Sequence, residues 1–166
     1  AAEKKNPLEK GVFLSFDDGF ADHYQVAQHL NGKGLKGVFY IVTDLVGKPG
    51  YLSWDQIKKM KSWGMEIGSH TKSHPDLVVS SEKDVADQLA GSKTVIEEKI
   101  GGKVVSLAYP SGRYDARVMK AVSTAGYLFA RTTESGSAFT AKKALMIPTL
   151  RVFSPAGAKQ FKVWLE

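Results

Sequence analysis

Short apolar runs alternate with longer amphipathic segments along the whole chain. Residues 12–16 (VFLSF), 37–42 (GVFYIV), 65–69 (MEIGS), 104–109 (VVSLAY), 127–132 and 147–153 have the length and the β-branched or aromatic content of strands. Between them, residues 22–31, 53–63, 81–100 and 115–125 repeat their apolar positions at helical spacing, and residues 155–165 predict a closing helix. Ser53 is placed to cap the second helix and Gly64 to end it. The order, βαβαβαβαβ through residue 132 and then a sixth strand and the closing helix, predicts an α/β fold in which parallel strands are joined by helical crossovers, as an open doubly wound sheet or as a barrel. In both architectures ligands gather at the carboxyl ends of the strands, so the residues just after each strand take priority. Residues 133–145 (TESGSAFTAKKAL) are the least patterned and predict a surface loop. With no linker, repeat or low-complexity stretch, the pattern predicts one domain over residues 11–166 behind an N-terminal extension of residues 1–10.

Composition narrows this picture. A chain of 166 residues with 43% hydrophobic and 24% charged positions can close a single core without staples. No apolar run approaches the roughly 20 residues of a membrane-spanning helix. The 23 Lys and Arg exceed the 17 Asp and Glu, giving a net charge of +6. That excess is dispersed, without a basic run or an arginine-aromatic stripe, so it does not predict a nucleic-acid groove; it suits a solvated face or an anionic wall polymer. The absence of Cys removes thiol catalysis and thiolate metal sites and suits an oxidising, extracytoplasmic space. Residues 1–10 lack the apolar core of a signal peptide, consistent with what remains after cleavage behind small residues.

The chemistry sits at the strand ends. Asp17, Asp18 and Gly19 follow the first predicted strand, His70 and His74 the third, YPSGRYD the fourth, and Arg131 with two threonines the fifth. Asp-Gly is also a common turn dipeptide, but a hairpin turn should lead into another strand, and residue 20 onward reads as helix. Pro75 biases His74 toward an extended backbone, which places the two imidazoles on a strand-to-loop turn. One carboxylate and two neutral imidazoles suit zinc or another first-row divalent ion, Co2+ included, and three protein ligands leave a position open. The second acid of the pair is then available as a base.

In that order and at those separations, SFDDG, SHTKSHPDL and LAYPSGRYD resemble the polysaccharide deacetylases of the NodB-like group, carbohydrate esterase family 4. The resemblance runs from about residue 11 to 152. It implies a single-domain, distorted (β/α) barrel with fewer than eight repeats, and metal-dependent removal of acetyl groups from N-acetylglucosamine polymers or acetylated xylan. By motif position it implies Asp17 as catalytic base, Asp18, His70 and His74 as metal ligands, and the backbone N–H of Ser111, after Pro110, as oxyanion donor. Tyr109 and Tyr114, flanking the third motif, are expected to line the substrate groove.

Two family features are missing. Ala108 stands where the family commonly has an Arg that orients the base, and no His occurs after His74 to act as general acid. Arg151 is the expected substitute beside Asp17, through a bidentate guanidinium, and Asp17 itself must then return the proton; His23, Arg131 and Arg151 are other candidates for that duty. His23 and His29, and Trp54, Trp63 and Trp164, are expected to be packing or surface residues. The favoured function is an extracytoplasmic, monomeric N-deacetylase with Zn2+, acting on bacterial peptidoglycan or a chitin-like polymer. The alternatives are an acetylxylan esterase, a noncatalytic carbohydrate-binding relic, and phosphoryl transfer with Mg2+, which two His ligands fit poorly.

Overall fold

A computed structural model describes residues 12–136 and 140–152. Six strands, β1 (Ser15–Phe16), β2 (Val38–Ile41), β3 (Glu66–Ser69), β4 (Ser106–Ala108), β5 (Phe129–Ser135) and β6 (Ile147–Thr149), form one parallel sheet in the order of the sequence. A doubly wound sheet reverses its strand order at a switch point; this one never does, so the strands run round as a (β/α) half-barrel of fewer than eight repeats. The crossovers are α1 (His23–Gly32), α2 (Trp54–Ser62), α3 (Glu82–Ile100) and α4 (Ala116–Thr124); between β5 and β6 the described residues hold a single short 3-10 turn, Ala141–Lys143.

Local chemistry sets the helix starts. Ser53 Oγ accepts from the Gln56 N–H at 3.2 Å while the Ser53 N–H donates to Gln56 Oε1 at 2.8 Å, a reciprocal cap that opens α2 where the sequence expects it. Ser81 caps α3 and Asp115 caps α4 in the same way, each accepting from the N–H three residues on. The inward faces of these helices bury Ile57 and Met60, Val85, Leu89 and Ile96, and Val118 and Val122 against Phe39, Ile41 and Leu107 of the sheet. Trp54 and Trp63 pack partly buried against this core, as packing residues should. No described helix is long and apolar enough to cross a membrane.

Three expectations shift. The predicted first strand shortens to two residues, and β6 ends at Thr149. β5 continues to Ser135, through residues 133–135 that lack a strand-like pattern, because pairing with β6 resumes at Ser135↔Thr149 after a register shift. The predicted closing helix, Phe153 and Trp164 lie outside the described residues.

The concave side of the sheet is polar. Alternation along β2 sends Phe39 and Ile41 toward the helices and Tyr40 to the opposite face, where its cross-strand neighbour is Gly68. A Cβ on Gly68 would lie 2.5 Å from two Tyr40 ring carbons and 2.8 Å from Ser106 Oγ. Gly68→Ala is therefore expected to destabilise the fold by about 1–3 kcal/mol through overpacking, read as a lower denaturation midpoint.

Candidate metal centre and base

The strand ends hold the site. Asp18 follows β1, and His70 and His74 follow β3; one ligand atom from each lies within 4.8 Å of the others. Asp18 Oδ1 is 3.5 Å from His70 Nε2 and 3.8 Å from His74 Nε2. Atoms that bind a tetrahedral zinc at about 2.0–2.2 Å stand roughly 3.3–3.6 Å apart, a range that holds the His70 distance and falls just short of the His74 one, and the N,N,O donor set suits such an ion. His70 Nδ1–H donates to the Ala108 carbonyl at 2.7 Å, which leaves the Nε2 lone pair facing Asp18. The His74 N–H donates to Thr71 Oγ1 at 3.0 Å and fixes the loop that carries the second imidazole.

Among the described residues, those other than glycine with positive φ are Asp18 (75°), Thr71 (67°), His74 (60°) and Ser111 (55°). All four stand at this rim. Left-handed backbone costs such residues free energy and persists where the surroundings over-determine it, as functional loops do.

Burial holds the His70 pKa below its ordinary 6.5, against the opposing pull of Asp17 and the Ala108 carbonyl. Burial does the same to His23, whose ring is packed among Phe16, Phe20 and Phe39. Both imidazoles protonate more readily in the unfolded chain, so folding is disfavoured once the pH drops below their unfolded value. Stability of the metal-stripped protein is expected to be full above pH 6.5 and to decline below it. Urea midpoints in EDTA between pH 8 and 5 measure this, and a midpoint that does not fall contradicts it.

Asp17 has a different environment from its neighbour. Its Oδ2 receives a hydrogen bond from Arg131 Nη2, while its Oδ1 is buried without a partner. Arg131 also donates from Nη1 to the Thr132 carbonyl at 3.1 Å and is 9% exposed. The guanidinium beside the base thus comes from Arg131, and Arg151, the expected substitute, sits at an exposed position two residues beyond β6. The reason lies in the register: Arg131 pairs directly with Ala108 across β4 and β5. The arginine absent from position 108 is supplied by the adjacent strand, and it holds Asp17 through one oxygen instead of a bidentate fork. The signal for this was the interior placement of position 131, which needs the register to be known.

Around the third motif, expectation and structure divide. Tyr109 is 1% exposed, and its hydroxyl donates to the Leu145 carbonyl at 3.1 Å. Buried in the core, it cannot line a groove; Pro110 is buried as well. Tyr109 instead backs Tyr114, whose ring stacks on it with centroids 5.1 Å apart. The half-buried Tyr114 donates to Glu134 Oε1 at 2.7 Å, a bond that pushes its phenol up to about 12. Ser111 is exposed at the rim, and Gly112 beside it (φ 72°) leaves no space for a Cβ, which would fall 2.0 Å from Thr133 Oγ1. Arg113 pairs with Asp76, tying this loop to the one that follows His74.

The polysaccharide deacetylase family model matches residues 4–130. YxkH of Bacillus subtilis (strain 168), a protein assigned to the polysaccharide deacetylases, is 30% identical over 165 residues, covering 99% of this chain and 59% of the relative. The peptidoglycan-N-acetylmuramic acid deacetylase PdaA of the same organism is 32% identical over 128 residues, 74% of this chain and 46% of the relative. The chain thus spans about half the length of these curated relatives. Among solved structures, the Streptococcus pyogenes deacetylase PplD in complex with acetate superposes with a TM-score of 0.89 at 28% identity, over 96% of this chain and 72% of that one. With the half-barrel, the rim of Asp17, Asp18, His70 and His74 and a family match over most of its length, this chain belongs to the polysaccharide deacetylases.

Proposed function

We propose that this chain is a metal-dependent N-deacetylase of amino-sugar polymers, with peptidoglycan as the preferred substrate. The observation that carries the reading is Asp17, anchored at one oxygen by Arg131 and free at the other, beside the Asp18, His70 and His74 cluster. A divalent ion on those three residues, with Zn2+ the proposed one, would polarise the acetyl carbonyl and acidify water. Asp17 Oδ1 accepts the proton of the water whose oxygen bonds to the acetyl carbon. The backbone N–H of Ser111, in the exposed loop after Pro110, is the donor for the developing oxyanion. The carbon–nitrogen bond then breaks, and Asp17 returns its proton to the amine, leaving acetate and a free amino sugar. Arg131 keeps its own proton throughout; its charge keeps Asp17 ionised.

The substrate preference rests on two supports. PdaA of Bacillus subtilis and PgdA of Listeria monocytogenes are named as peptidoglycan deacetylases, whereas the Pestalotiopsis relative is a chitin deacetylase. The net charge of +6 suits an anionic wall. An extracytoplasmic setting and a monomeric state complete the proposal. The missing family arginine and histidine together argued for a noncatalytic relic; Arg131 answers the first half of that argument, and the second rests on Asp17 returning its own proton.

Acetate release with added Zn2+ or Co2+ across peptidoglycan, chitin oligomers, poly-N-acetylglucosamine and acetylxylan tests the reading. Release from peptidoglycan above the others is the expected result. Release from acetylxylan alone makes the chain an esterase, and no release from any glycan overturns the enzyme.

A further inference from the structure

We infer that Tyr40 is a positioning residue of this reaction, its ring clamping Arg131 and through it Asp17. The inference rests on the reading of Asp17 as base, but its geometry stands by itself. The Arg131 guanidinium carbon lies 5.5 Å from the centre of the Tyr40 ring. Tyr40 is 6% exposed and Arg131 9%, so this cation and ring meet out of water, where such contacts are strongest.

Arg131 needs the support. It grips Asp17 by Nη2 alone and a backbone carbonyl by Nη1, and its Nε is buried without a partner. A guanidinium held at one carboxylate oxygen can pivot about that contact, whereas a two-point fork cannot. The Tyr40 ring blocks that pivot. The ring is itself fixed from the other side: it lies over Gly68, its cross-strand neighbour, in space that a side chain there would fill. At its far end the hydroxyl meets Ser106, whose Oγ donates to Glu66 Oε1 at 2.8 Å. A polar column thus runs through the concave side, from Glu66 and Ser106 through Tyr40 and Arg131 to Asp17. Since the ring does the clamping, its hydroxyl is secondary.

The test combines Tyr40→Phe and Tyr40→Met with Arg131→Met. With Zn2+ and N-acetylglucosamine oligomers as the probe, Tyr40→Phe is expected to keep turnover within about twofold, and Tyr40→Met to lose roughly tenfold in kcat. KM and zinc affinity should stay nearly constant. In the Arg131→Met background, Tyr40→Met should cost nothing further, because the group it acts through is gone. Equal losses in both backgrounds, a loss confined to KM, or a Phe variant as slow as the Met variant overturns the inference.

An NMR measurement of the Arg131 Nε–H needs no turnover. The ring current of residue 40 should displace this resonance in the wild type and Tyr40→Phe, and the displacement should vanish in Tyr40→Met. An undisplaced wild-type resonance overturns the clamp whatever the activity. A displaced resonance with no acetate released from any glycan upholds the clamp and fails the deacetylase reading instead.

Discussion

Asp17→Asn is expected to lower turnover by about 10²–10⁴ while zinc affinity stays nearly intact, the loss typical of a positioned acid-base group. The substitution preserves size and still offers an oxygen to Arg131, but an amide cannot accept a proton at working pH. Asp17 lies outside the Asp18, His70 and His74 trio, so the ligand set keeps its members. The two quantities therefore separate: kcat falls by the equivalent of roughly 3–5 kcal/mol of barrier, and a zinc titration hardly moves. An Asn variant with wild-type turnover would remove Asp17 from the base role. One that loses zinc in step with activity would make it a ligand instead.

His74→Ala should do the reverse, weakening zinc by at least about 100-fold and abolishing acetate release, since one of three ligands is gone. Backbone strain complicates the reading of any loss. His74 has φ 60°, where Ala is no better placed than His, so an unfolded Ala variant would say little about metal. His74→Gly resolves this: glycine suits the left-handed backbone, so the fold should keep its melting temperature while the metal is lost. Wild-type zinc affinity in a folded Gly variant would exclude His74 from the ligand set. Added metal at high concentration should restore part of the activity only if the two remaining ligands still gather it.

How far the sequence reached can be seen residue by residue. Alternation of apolar runs was enough for the six strands and four described helices, because each buries one face on a shared core and that demand writes a period into the chain. Ser53 showed the start of α2, and the structure adds Gln56 as its reciprocal partner. The grouping of Asp18 with His70 and His74 was legible because all three stand just past strands whose direction follows from the topology. The partner of Asp17 was not. Choosing Arg131 over Arg151 requires the Ala108↔Arg131 register, a relation between two strands that neither strand encodes in its own pattern. Tyr109 misled for a related reason: a tyrosine in a functional motif suggests a sugar contact, yet its position next to β4 buries it, and Leu145 satisfies its hydroxyl. Tyr40, Gly68 and Ser106 gave no signal as a group, since they come together only on the inner face of the sheet.

The contact between Arg131 and Asp17 joins residues 114 positions apart, and that separation has a consequence for how the chain becomes active. Loop-closure entropy makes so distant a pairing late, after the local βα units have collapsed. Helix content and much of the metal cluster, whose last ligand is His74, can thus be in place while the base still lacks its anchor. A chain ending at residue 130, where the family match ends, would keep the four described helices and the Asp18, His70 and His74 trio yet lack Arg131, so on the proposed reading it is expected to be inert. With Asp17 read as the base, its anchor depends on β5, whose pairing with β4 brings a guanidinium to a carboxylate 114 positions earlier in the sequence.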